Sequence, residues 1–139
     1  MKRKRAFLTV VIIIFLLGMI GATWGWIAYH KTRPMLSSIK ADAKITSEEL
    51  YSAFSTNENN ANKLYLNKIV EVSGSIASVQ QDKTQTTIEL QAGNDALGGI
   101  NCAMRNVDNS AIKGQTIKIK GRCIGFLMDV NLVDAVIVK

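Results

Sequence analysis

The stretch Thr116–Phe126, "TIKIKGRCIGF", decides how the rest of the chain is read. Ile117, Ile119, Gly121 and Cys123 fall on one side of a period of two, and Lys118, Lys120 and Arg122 on the other. That alternation predicts a half-buried strand with the apolar set inward and the cations outward. A cysteine between two glycines inside a strand raises a second question. Cys123 has to be a nucleophile, a metal ligand, half of a disulfide, or packing.

Working outward, the same period recurs. In "KIVEVSGSI" Val70, Val72, Gly74 and Ile76 share one face, and Glu71, Ser73 and Ser75 the other. "TTIELQ" sets Ile88 and Leu90 inward, and "INCAMR" sets Ile100, Cys102 and Met104 inward. "VNLVDAVIVK" closes the chain as a last strand. "QQDKTQ" and "AGNDALGG" are turns, and "NVDNSAIKGQ" is a longer crossing. Asp82, Asp95 and Asp129 fall in turns, where aspartate bonds its own backbone, and form no acid pair.

The expectation is five strands, three in a meander and two after a longer connection. Gly74 and Gly121, both inward, suit the coiling of a small closed barrel. The fold class is mainly β: a five-stranded OB-fold Greek-key barrel, with an SH3-like barrel as the alternative.

The barrel is preceded by a short helical region. In "ITSEEL" Thr46 is the N-cap, Glu49 completes a capping box, and Ile45 and Leu50 form a hydrophobic staple. Glu48 and Glu49 there complement the helix dipole rather than serving as an acid/base pair. Ala61, Leu64 and Tyr65 suggest a further helical turn after "STNENN".

Ahead of this lies "MKRKR" and then residues 6–29, which hold no charged side chain. Twenty-four helical residues rise about 36 Å, enough to cross a hydrocarbon core of about 30 Å. Trp24, Trp26 and Tyr29 gather at one end as interface anchors. The rival is a cleaved signal peptide, with Ile20-Gly21-Ala22 as its cleavage site, but the apolar run outlasts a signal core. The expected layout is therefore a cytoplasmic tail over 1–5, a single transmembrane helix over 6–29, a linker over 30–44 and the OB-fold domain over 45–139. The cations of the tail hold the N-terminus in the cytoplasm. The domain then faces the periplasm or cell exterior.

Charge follows that division. Residues 1–44 hold eight Lys/Arg against Asp42 alone, +7, and residues 45–139 hold nine against ten acids, −1. The domain is close to neutral and lacks the basic character of a nucleic-acid module. Its barrel strands two and three carry no aromatic residue on which a base could stack. Nucleic acid is therefore not the expected partner.

The residues quoted from "ITSEEL", "YLNKIVEVSGSI", "GGINCAM" and "KGQTIKIKGRCIGFLMDVNLVDAVIV" resemble the bacterial tRNA-anti-like OB-fold family over roughly residues 45–139. The resemblance implies an OB-fold, often exported or membrane-attached, and no known reaction.

No enzyme is expected. The one histidine, His30, lies outside the domain, so neither cysteine has a histidine base, and two isolated cysteines make no zinc site. No metal and no cofactor is expected. Cys102 and Cys123 are either a structural disulfide or two buried thiols acting as small hydrophobes. The functional expectation is a single-pass, membrane-anchored, noncatalytic binding module of the bacterial cell envelope. Its partners are the bilayer and another envelope protein, a peptide or a glycan. The alternative is a nucleic-acid-binding OB-fold protein.

Overall fold

The computed structural model describes residues 17–26, 29, 36–107 and 110–138. The chain divides into two compact units, Met1–Arg33 and Pro34–Lys139. In the first, residues 17–26 and 29 are helical, and Trp24, Trp26 and Tyr29 are exposed. Among the described residues no helix is long and apolar enough to cross a membrane. Most of the span expected over 6–29, and His30, lie outside the described residues.

The second unit starts with a short 3₁₀ turn, Leu36–Ser38, and a strand β1, Ala43–Thr46. Helices α1 (Ser47–Thr56) and α2 (Glu58–Tyr65) follow. Five further strands complete it: β2 (Ile69–Gln81), β3 (Thr86–Gln91), β4 (Gly99–Met104), β5 (Thr116–Leu127) and β6 (Asp129–Val138).

The sheet order is β1-β2-β3-β4-β6-β5, and β2 also pairs with β5. That last pairing closes a ring of five strands, the OB-fold arrangement. The meander β2-β3-β4 is antiparallel, β4 and β6 run parallel, and β5 returns antiparallel to both β6 and β2.

The alternation in sequence is the alternation in space. Val70, Val72, Ile88, Leu90, Ile100, Cys102, Ile119, Cys123 and Leu132 are all buried within one core. Leu50 and Phe54 of α1 and Ala61 of α2 belong to the same cluster, so the helices plug the barrel rather than flank it. Thr46 caps α1 with a reciprocal box: its Oγ1 accepts from the Glu49 amide at 3.2 Å, and Glu49 accepts from the Thr46 amide at 3.1 Å. Asn57 caps α2 in turn through its Oδ1, 3.0 Å from the Asn60 amide.

Two inward glycines make room for partners. A Cβ on Gly74 would collide with the side chain of Ser47, whose hydroxyl donates to the Gln91 carbonyl at 2.6 Å. A Cβ on Gly121 would come within 3.0 Å of the Leu132 Cβ. Close packing, as well as coiling, is why both are glycine.

The linker expected over 30–44 ends earlier than its composition suggested. From Leu36, which is buried, the chain lies on the barrel as a strap. Asp42 and Ile69 exchange two bonds, amide to carbonyl at 2.8 Å and amide to carboxylate at 2.9 Å. β1 then pairs in parallel with β2, and Lys44 meets Glu71 at 3.0 Å. The strap is a sixth strand outside the closed ring, and the five-strand expectation did not include it.

Candidate binding face

The outer face of the meander carries a row of polar side chains fixed by register. Ser78 pairs with Glu89, Glu89 with Asn101, and Asn101 with Asn131, so the row crosses β2, β3, β4 and β6. Each of the four is half-buried. The Ser78 hydroxyl donates to Glu89 at 2.8 Å, and Asn131 donates its side-chain amide to the Asp129 carbonyl at 3.0 Å. Beside it the Ala92–Gly98 loop, Glu89 and Lys113 frame a cleft of about 500 Å³. Asp129 braces that loop by accepting from the Gly99 amide at 2.8 Å. The row is rich in donors and acceptors and holds one carboxylate and no cation. It suits hydroxyls and amides better than phosphates.

The aromatic residues are elsewhere, stacked on one another. Phe54 lies 5.8 Å from Phe126 with rings nearly parallel, Tyr51 meets Phe126 edge-on at 5.8 Å, and Tyr65 leans on Phe54 at 6.2 Å. They seal the helix–barrel junction and offer no platform on the polar row.

Cys102 and Cys123 are both buried free thiols. The disulfide reading is corrected by register. Cys102 on β4 and Cys123 on β5 each pair with Leu132 of β6, one from either side. Two ladder spacings separate their backbones by about 9 Å, beyond the roughly 7 Å that a disulfide can bridge. Burial raises both thiols above the ordinary range, partly offset at Cys123 by a hydrogen bond from the Gly125 backbone. The Cys102 thiol donates to the Ile100 carbonyl at 3.7 Å. Neither is poised as a thiolate, and both pack as small hydrophobes. Among the described residues no three potential metal ligands converge.

The three-cation row expected on β5 is also corrected. Lys118 and Arg122 are exposed, but Lys120 is only 6% exposed because the strap covers it. Its ammonium donates to the Ile39 carbonyl at 3.0 Å and reaches Ser37 O at 3.5 Å. Arg122 leans on the Asn67 carbonyl at 3.3 Å.

The strap contacts and the polar row depend on register, which alternation alone does not show. A third feature had a signal in sequence: "LMD", an apolar pair where a hairpin turn belongs.

Against known proteins, a family model described as tRNA_anti-like matches residues 1–137. No curated protein matches the chain. Among solved structures it is similar to a Klebsiella pneumoniae protein described as a candidate nucleic acid-binding lipoprotein. That match has a TM-score of 0.53 at 16% identity and covers 68% of this chain and 91% of the other. Fainter likenesses are to yeast Stn1–Ten1, with TM-score 0.43, 14% identity and coverage of 74% and 65%, and to a replication protein A heterotrimer bound to ssDNA, with 0.37, 9%, 51% and 57%. This chain spans less than two thirds of each of those two. These likenesses concern the fold.

Proposed function

The chain belongs to the tRNA_anti-like family, and from that membership we propose a noncatalytic OB-fold interaction module held at the bacterial cell membrane by residues 6–29. Its barrel faces outward and takes a hydroxyl- or amide-rich ligand, a glycan or peptide of the envelope, on the meander face. The observation that carries the reading is the row Ser78, Glu89, Asn101 and Asn131, aligned across four strands without an aromatic or a cation. Support for the anchor comes from the uncharged 24 residues behind four cations. The noncatalytic role is supported by two buried thiols and by the lack of any histidine after residue 30.

Nucleic acid is the second reading, favoured by the description of the Klebsiella relative and by the use OB barrels make of this face. One pair of measurements separates the two. A reporter fused after Lys139 is expected to be active only outside the cytoplasm; cytoplasmic activity overturns the topology. Binding of the purified chain to single-stranded DNA and RNA at physiological salt is expected to be no tighter than roughly 10⁻⁴–10⁻⁶ M, the nonspecific range. Nanomolar binding that Glu89→Lys alters hands the face to nucleic acid.

A further inference from the structure

The β5–β6 hairpin is apolar at both of its ends, and the two ends differ in shape and in charge. At the turn, Leu127 pairs with Asp129 and leaves Met128 alone at the apex with φ of 65°. Glycine, asparagine or aspartate would hold that left-handed conformation with less strain than methionine. Turn geometry therefore does not explain the residue, and strain retained at an exposed apex points to a use for the side chain. Leu127 is 84% and Met128 74% exposed, so the turn ends in two bare apolar side chains. The charged groups beside them are acids: Glu58 lines the groove behind Leu127, and Asp129 follows the apex.

The other end of the hairpin is concave. Ala111, Ile117, Ile137 and Val138 line a groove of about 440 Å³, and the charged side chain in that lining is Lys118. The four apolar residues are buried or half-buried, while Lys118 is exposed. A groove of this volume falls in the size range of sites that seat small ligands, ample for two side chains. Register places Lys118 opposite Val138 at this end and Leu127 opposite Asp129 at the turn. The nine-residue step between Lys118 and Leu127 spans about 30 Å of extended strand. The turn cannot fold back into its own open end, so each molecule presents both halves of a contact that only two molecules can make.

We propose that copies of this chain associate head to tail. Leu127 and Met128 of one copy seat against Ile117, Ile137 and Val138 of the next, and Lys118 meets the acids of the turn. A convex apolar turn flanked by carboxylates matches a concave apolar groove that holds a lysine. A second copy accounts for both ends of the hairpin at once, whereas an unrelated peptide would account for one. Residues 45–139 carry a net charge of only −1, so copies approach without strong mutual repulsion. Two side chains and an ion pair fall short of a standard interface, so the contact is weak and reversible. It is also heterologous: every pair keeps one free turn and one free groove, and association continues beyond two unless a ring closes. Neither the ligand proposed for the meander face nor the anchor over 6–29 is needed for it.

The test uses the full chain in detergent micelles, where the native Cys102 and Cys123 are buried and out of reach. Chains carrying Leu127→Cys are mixed with differently tagged chains carrying Val138→Cys and then oxidised; Ala111→Cys is a second groove position. The reference is Thr84→Cys, on the exposed β2–β3 turn, mixed with the same Val138→Cys chain. The expected result is a crosslink between 127 and 138 that forms several-fold faster than the reference. Lys118→Glu in the groove chain should slow it to the reference rate, as should Met128→Asp in the turn chain, since aspartate accepts the left-handed backbone. Crosslinks formed chiefly between two Leu127→Cys chains mean turn-to-turn contact and overturn the head-to-tail order. A rate equal to the reference at both groove positions, or one that neither substitution changes, overturns the self-association and leaves the turn to a different partner.

Discussion

At Lys120 the outer face of β5 is covered, and the ammonium is spent on two backbone carbonyls of the strap. Seven residues later, on the same strand, Leu127 stands in solvent. One strand therefore hides a lysine and exposes a leucine, the reverse of what each side chain would do alone. The difference lies in what the rest of the chain lays on the strand. The turn at Leu36–Ser38 ends over Lys120, where carbonyls at a helix end favour a cation, while among the described residues the 124–128 end is left largely uncovered.

Three measurements on the Pro34–Lys139 unit sharpen or break that contrast. The largest effect is expected from Lys120→Glu, which sets a carboxylate against the Ser37 and Ile39 carbonyls. Urea unfolding should show a loss of about 3 kcal/mol or more, whereas Lys118→Glu on the exposed side should stay within about 0.5 kcal/mol. Equal effects would mean that the strap does not cover Lys120 in solution.

Next comes the leucine pair. Leu36→Ala, at a buried position, should cost about 2–3 kcal/mol and speed hydrogen exchange at the Ile69 amide, which the strap's Asp42 holds. Leu127→Ala should change stability by less than about 0.5 kcal/mol. A large loss at Leu127 would show that the tip is packed rather than free.

The smallest effect concerns the cysteines midway along the comparison. Replacing Cys102 and Cys123 by alanine should cost about 1 kcal/mol for each group deleted from the core. Reductant should leave the melting temperature of the unmodified unit where it was, and alkylation should await unfolding. A melting temperature that falls with reductant would restore the disulfide.

The closed ring was legible because its strands report on themselves. Val70, Val72, Ile88, Leu90, Ile117 and Ile119 alternate within short windows, and alternation needs no knowledge of the partner strand. Thr46 and Glu49 were legible for the same reason, since a capping box is complete within four residues. The strap was not. Leu36 and the "ADAK" before α1 carry no period, and β1 is a strand only because β2 offers it an edge. The burial of Lys120 depends on residues some 80 positions away, so a Lys-x-Lys pattern reads as solvent-facing until the strap is laid over it. The distance between the cysteines likewise waits on the placing of β6 between β4 and β5. The polar row is likewise a product of register: Ser78, Glu89, Asn101 and Asn131 are ordinary outward residues until four strands align them.

A tether also carries load. If residues 6–29 are fixed in a bilayer and the barrel holds something outside, tension enters the domain at Leu36. Its burial and the two carbonyl bonds of Lys120 take the pull first, then the Asp42–Ile69 exchange, then the short parallel ladder of β1. All of these lie upstream of the ring, which closes through β2 and β5 without them. On that proposal the strap would yield first, lengthening the leash by roughly ten residues, or about 30 Å, before the barrel ladder is loaded.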